Sequence, residues 1–345
     1  MRRIAILATV AAITLAACGG TGAQRPTTLK LLAHDSFAAG VTDETFAAFT
    51  DETGIDVEVI SGGDAGAMVN QAALTAGNPI ADVMFGVDDT FLSRAIDADV
   101  FTAYRSTRVD EVESSLAPTS ELVTPIDFGD VCLNYDKQWF AGHEMTVPST
   151  LDDLRTGQYA GLTTVESPAT SSPGLAFLLA TIDFYGEDGW QDFWRDMKAG
   201  GVATVPDWDT AYYANFTPYG GATPMVVSYA SSPPAEVIYA TEPLTEAPTG
   251  VIEAGCYRQV EYAGVMAGSD YPDVAGELID YLLSVDFQET IPLTWFVFPA
   301  NANADLPEEF TRYTTLPQSP ARFDAQTIAD NRDRWIAEWS TIMEG

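Results

Sequence analysis

Residues 29–97 read LKLLAHDSFAAGVTDETFAAFTDETGIDVEVISGGDAGAMVNQAALTAGNPIADVMFGVDDTFLSRAID, and the order of elements in this stretch decides the fold. Leu29 to Ala33 is a short apolar run of strand type. Thr42 to Thr53 carries Phe46 and Phe49 at helical spacing, with acids in its first turn, and Gly54 stops it. Ile55 to Ile60 alternates as a strand. Gly62-Gly63-Asp64-Ala65-Gly66 then opens a helix that runs to about Ala76. Ala81 to Val87 is a buried strand, and Asp89 to Asp97 is helical again. A strand-helix-strand-helix-strand order needs crossover connections and therefore parallel strands.

A second series begins near Asp127. Strands are expected at 131–135, 162–165, 202–205, 225–229 and, longest, Tyr257 to Met266. Helices are expected at 149–155, 172–185, 190–199, 210–216, 233–240, 274–283 and 325–343. Two α/β series separated by long strands predict an α/β fold of two lobes joined by two crossing strands. Residues 29–127 plus 264–345 form lobe 1, and 128–263 form lobe 2. Ligands in such sheets bind outside the carboxyl ends of the strands, and a central cleft gathers those ends.

Ahead of the fold stands MRRIAILATVAAITLAACGG, residues 1–20. Arg2 and Arg3 form a basic start, and Ile4 to Ala17 is an apolar run too short to serve as a finished membrane helix. It ends in Leu15-Ala16-Ala17-Cys18, which resembles the site at which bacterial lipoproteins are cut and the new N-terminal Cys acylated. A plain signal with an incidental Cys is the alternative. Residues 1–17 are read as the signal peptide, and 18–28 as the lipidated Cys18 followed by a flexible, Pro-interrupted tether. The mature protein is then exported and held by lipid on the extracytoplasmic face of the cell membrane, in a periplasm or at the cell surface.

The charge balance is lopsided: 16 Lys and Arg against 50 Asp and Glu, a formal net charge of −34. Loss of Arg2 and Arg3 with the signal leaves 14 against 50, or −36. A polyphosphate backbone needs a basic surface, so nucleic acid is excluded as a partner. The surplus of acid solvates the surface, and its field also favours a cationic ligand. Once Cys18 is used by lipid, Cys132 and Cys256 remain, each in a strand-like run. Two thiols in an exported chain are read as a structural disulfide. With only two histidines, His34 and His143, and no CxxC, neither a metal site nor a redox motif is expected.

Several strand ends carry polar groups. His34-Asp35-Ser36 follows the first strand, Asp64-Ala65 the second and Asp88 the third. Asp64 is either a helix cap or an acceptor for a ligand amino group, and Asp88 is in the same position. Ser171-Ser172-Pro173-Gly174 opens an apolar helix, and Tyr229-Ala230-Ser231-Ser232-Pro233 repeats the pattern. Hydroxyls and Pro at a helix start leave free N–H groups, which suit an anion or serve as plain caps. Trp208, Tyr212, Tyr229, Trp295 and Phe296 are aromatics near strand ends, suited to stacking on a flat heterocycle or a cation, or else to the core. No GxSxG, HExxH, P-loop or GxGxxG occurs, so no enzyme is expected.

The segments LAHDSFAAG, ADVMFGVDDTFL, FGDVCLNYDK, ATSSPGLAFLLA, VPDWDTAYYANF, VVSYASSP and IPLTWFVFPAN occur in this order from residue 32 to residue 301. Together they resemble the periplasmic thiamine-binding proteins of bacterial ABC importers, over nearly the whole mature chain. The resemblance implies a type II periplasmic binding protein fold that closes on its ligand. The ligand would be thiamine or a thiamine phosphate, the partner a transporter permease, no cofactor would be needed, and the protein would be a monomer. By resemblance, Asp64 engages the aminopyrimidine, Ser171 lies near the phosphate, and Trp208, Tyr212 and Tyr229 surround the ligand. The chain departs from the family where His34 and Ala235 stand in place of tyrosines and where Trp295-Phe296 is shifted against a single Trp. Alternative ligands are Fe(III), a polyamine or a pyrimidine fragment. A lipid-anchored hydrolase would need a nucleophile–base pair that the sequence does not display.

Substituting Cys18→Ala should release the protein from the membrane fraction of the producing cell. A variant that still partitions with membranes would show that the anchor lies elsewhere.

Overall fold

The computed structural model describes residues 25–116 and 120–345. The signal peptide, Cys18 and the tether up to residue 24 lie outside the described residues. The expected parallel units are present. Strands β1 (Thr28–Ala33), β2 (Asp56–Ser61) and β3 (Val83–Asp88) pair in parallel with β1 in the middle. On the other side β6 (Thr163–Glu166), introduced after β4 (Phe101–Thr102) and β5 (Thr124–Asp136), pairs in parallel with both β7 (Ala203–Val205) and β8 (Met225–Tyr229).

The two units meet through β5 and β9 (Thr249–Met266), the longest strands of the chain at 13 and 18 residues. They run antiparallel, and the sheet order is β2-β1-β3-β9-β5-β8-β6-β7. Short strands β4 and β10 (Phe298–Pro299) pair with β9 and β5 respectively. The fold is thus α/β with two lobes connected by two crossing strands. The sequence reads only the second half of β9 as strand. Gly255, with φ of 76°, forms a bulge that breaks the alternation just before Cys256.

Helices cover the sheet as their composition dictates. Helix Ser172–Tyr185 has Pro173 in its first turn and a nearly all-apolar body, and it is buried from Ser172 to Ile182. Helix Trp190–Gly200 is amphipathic, turning Trp190, Phe193, Trp194 and Met197 inward and ending at Gly201 in the left-handed region. The closing helix Ala325–Glu344 is capped by Asp324, whose carboxylate accepts from Thr327 N. Although its sequence position was assigned to lobe 1, this helix packs on both helix Leu92–Asp97 and helix Trp190–Gly200. Trp339 meets Trp194 edge-on at 5.6 Å, and Arg332 reaches Ser93. Among the described residues no helix is long and apolar enough to cross a membrane.

Cys132 and Cys256 are disulfide-bonded, joining β5 to β9 beside the bulge. The bond closes a loop of sequence separation 124. On the chain-entropy account such a closure stabilises by about 5 kcal/mol. Reduction should lower the denaturant midpoint accordingly, and unfolded, unreduced mature protein should show no free thiol. Two reactive thiols would contradict the pairing.

Candidate functional site

A cavity of about 460 Å³ lies where the carboxyl ends of β1, β3 and β8 converge on the β5/β9 pair. Ten of the residues singled out from sequence line it: His34, Ser36, Asp64, Ala65, Ser172, Trp208, Tyr212, Tyr229, Trp295 and Phe296. Asp35, Asp88, Ser171 and Ser231 do not. Asp35 takes hydrogen bonds from Ser61 Oγ and Gly63 N and so holds the loop before Asp64. Asp88 is fully buried and accepts from Thr90 Oγ1, Phe91 N and Ser172 Oγ. Ser171 is the buried N-cap of helix Ser172–Tyr185 and its hydroxyl faces Asp64 without a well-formed bond. Ser231 Oγ is buried without a partner.

The wall on the lobe 2 side is aromatic. Trp208 stacks on Tyr212 at 4.9 Å and 18°, and Tyr213 stands edge-on to Trp208. Tyr212 and Tyr213 project from Thr210–Asn215, a turn of π-helix, a form that recurs at functional sites because it re-aims side chains. The stack is pinned from behind: Trp208 Nε1 donates to Ser228 Oγ (2.9 Å), and the hydroxyls of Tyr212 and Tyr219 both donate to Glu236 (2.8 and 2.9 Å). Opposite stands a second aromatic group, in which Trp295 stacks on Phe37 at 4.7 Å and donates Nε1 to the Phe37 carbonyl (3.1 Å). Phe296 adopts φ of 56°, an uncommon backbone for a bulky residue, and its ring meets Tyr239 edge-on across the cavity mouth.

Polar contacts join the two sides, among them Trp208 N donating to Asp64 Oδ2 (3.3 Å), Gly66 N to Thr170 O (3.1 Å), and Ser172 Oγ to Asp88. Asp64 also caps helix Ala65–Leu74 by accepting from Ala65 N at 2.7 Å, and it lines the cavity as well. Burial lifts its carboxyl above the ordinary range, and the hydrogen bond from Ala65 N, with the nearby Ser171 hydroxyl, opposes this. His34 Nδ1 accepts from Phe37 N (3.2 Å), and its Nε2 lies 3.4 Å from Glu261. Burial by itself would lower the His34 pKa, but Glu261, with Asp64 and Asp35, raises it.

Tyr213 also lines the cavity, as do Glu261, Asp127, Tyr219 and Tyr239, which were not among the sequence candidates. Asp127 and Glu261 lie inside long strands, where the sequence offers no turn to mark them. The spacing that would have found them is their alternation with Phe128 and Tyr262 on the strands that cross. Among the described residues no Lys or Arg lines the cavity. Among the described residues no group of three or more His, Cys, Asp or Glu is arranged to hold a metal ion.

The profile of the family described as bacterial extracellular solute-binding protein matches residues 78–318. The chain belongs to this family. Its solute-binding relatives include the thiamine-binding periplasmic protein of Escherichia coli, 28% identical over 317 residues and covering 91% of this chain and 93% of the relative. That of Salmonella typhimurium is 27% identical over 328 residues, with 94% and 96% covered. Among solved structures, a periplasmic thiamin binding protein superposes with a TM-score of 0.81 at 25% identity, covering 92% of this chain and 96% of the other. Iron-bound HitA from Pseudomonas aeruginosa superposes with a TM-score of 0.73 at 19% identity, covering 92% and 99%, and shares the fold. This solute-binding protein therefore has the two-lobe periplasmic binding protein fold.

Gly86 makes room for the His34 ring. It sits at φ of 90° in a bulge of β3, and a Cβ there would overlap the His34 ring. Gly86→Ala should destabilise the protein by about 1–3 kcal/mol and displace His34. An unchanged denaturant midpoint would show that the ring is held by other contacts.

Proposed function

We propose that the protein captures thiamine, free or phosphorylated, in the cavity between its lobes and delivers it to the permease of an ABC importer. It does so as an exported, lipid-anchored monomer, with lobes bounded at 29–127 plus 264–345 and at 128–263. The observation that carries this reading is the cavity itself: two aromatic walls, Trp208–Tyr212 and Phe37–Trp295, stand over a floor lined by carboxyls, with no Lys or Arg among the described residues that line it. Such a site suits a flat, cationic heterocycle. The names of the relatives supply the ring system, since they are thiamine-binding proteins.

Asp64 is the acceptor for the aminopyrimidine. A carboxylate that is already fixed by Ala65 N and Trp208 N is pre-oriented, and a further donor from the ligand completes its shell. The same bond from Trp208 draws the lobes together, so ligand capture and closure use one side chain. Ser171 and Ser172 belong to the end at which a phosphate ester would sit, although Ser172 is already engaged with Asp88.

Calorimetry on the purified protein should show thiamine binding. Asp64→Ala should weaken it by roughly ten- to a hundredfold, the effect of about 1.5–3 kcal/mol for a lost bond to a charged acceptor. Wild-type protein that binds no thiamine would sink the proposal. Wild-type binding with an unaffected Asp64→Ala variant would remove only the role of Asp64. If Ser171→Ala hurts binding of the monophosphate and spares thiamine, Ser171 marks the phosphate end.

A further inference from the structure

We propose that the facing carboxyls of Asp127 and Glu261, on the cavity floor where β5 and β9 run side by side, form a cation-recognising subsite. The pair holds one proton, on Asp127, which passes to solvent as a positively charged group of the ligand enters. The inference rests on the capture reading above and adds the group that senses the ligand's charge.

Asp127 and Glu261 are register partners on antiparallel strands, and Asp88 on β3 is the register partner of Glu261 from the other side. Three carboxyls thus form a row across three neighbouring strands, all of them buried. Residues directly opposite in such a ladder have Cβ atoms about 4.5–5.5 Å apart, close enough for like charges to destabilise the pairing. Burial penalises each charge further, so one proton retained between neighbours is the state of lower energy.

The surroundings separate the roles. Asp88 is satisfied by Thr90, Phe91 N and Ser172 and does not reach the cavity. Glu261 Oε1 accepts from Gln259 Nε2 (3.1 Å) while Oε2 faces His34. Asp127 lines the cavity, is 3% exposed, and its Oδ1 has no hydrogen-bond partner. A buried carboxyl in a cavity wall that lacks a hydrogen-bond partner is available to a donor or cation that enters. Besides the pair, His34, Asp64 and the Tyr229 hydroxyl, which is bonded to Gln259, face the cavity here, and Asp35 and Asp88 lie behind its lining. Burial, and after it Glu261, holds the Asp127 carboxyl well above the usual carboxylate range. Burial and then Asp89 push Asp88 up to about 8. A ligand cation replacing the proton leaves the buried charge unchanged, which is why the exchange is favourable where simple addition of charge would not be.

The sign of the pH dependence follows. Protons compete with the ligand cation, so affinity rises with pH, by up to about tenfold per unit, while the free pair still holds its proton. It levels off once the pair is deprotonated. The test is calorimetry of thiamine binding at several pH values in buffers of different ionisation heat, on wild type, Asp127→Asn and Glu261→Gln. Each variant is first checked for folding by circular dichroism. Expected are release of about one proton per thiamine bound, loss of that release and of the pH slope in Asp127→Asn, and about tenfold or greater weakening in Glu261→Gln. Tight binding without proton release in the wild type, or the same release in both variants, overturns the inference and leaves thiamine capture intact. Wild-type protein that binds no thiamine overturns the capture reading. The pair is then judged on the ligand-free protein, where infrared difference spectra of wild type against Asp127→Asn must show one protonated carboxyl at neutral pH. Its absence overturns the inference.

Discussion

The antiparallel pairing of β5 with β9 is the constraint on which the other features hang. Each lobe contributes a parallel unit that could not register against the other alone, since parallel strands need crossovers and these stay within a lobe. The central pair supplies a common ladder from Thr124 to Asp136, with one disulfide across it. The same ladder sets the floor of the cavity. Residues that face the ligand space are therefore placed by backbone hydrogen bonds of the most protected strands, whereas the aromatic walls come from helix starts and loops on either side.

This division explains the chemistry of the site. Stacking walls are tolerant of position, because a π-face is broad, and they can sit on a π-helical turn or on a residue such as Phe296 with φ of 56°. Acceptors for a charge must be exact, and here they sit on strands or on a helix cap. Asp64 shows the economy of the arrangement: one carboxylate begins a helix, touches the opposite lobe through Trp208 N and lines the cavity.

Much of the fold was legible because hydrophobic runs and their breakers mark elements locally. Helix Ser172–Tyr185 and strand Met225–Tyr229 were readable to the residue, since Pro, Gly and Ser flank uninterrupted apolar runs. The aromatic candidates were legible for the same reason: they follow strand ends. What was hidden is nonlocal. The first half of β9 is masked by Gly255, and β4 and β10 are two-residue strands that exist only through their partners. The anion-ready look of Ser171-Ser172 was a local truth altered by a distant residue, because Asp88 arrives from β3 to take the Ser172 hydroxyl. Asp127 and Glu261 could be paired only once the crossing of their strands was known.

The position of helix Ala325–Glu344 limits how the lobes can move. Two bodies joined at one strip can tilt, twist and slide about it. Here a second attachment exists away from the central strands, because this helix touches helix Leu92–Asp97 with one part and helix Trp190–Gly200 with another. The close packing of Trp339 on Trp194 resists sliding of the helix against its partner. A helix packed on both bodies has to repack wherever they shift, so its contacts add to the cost of any opening.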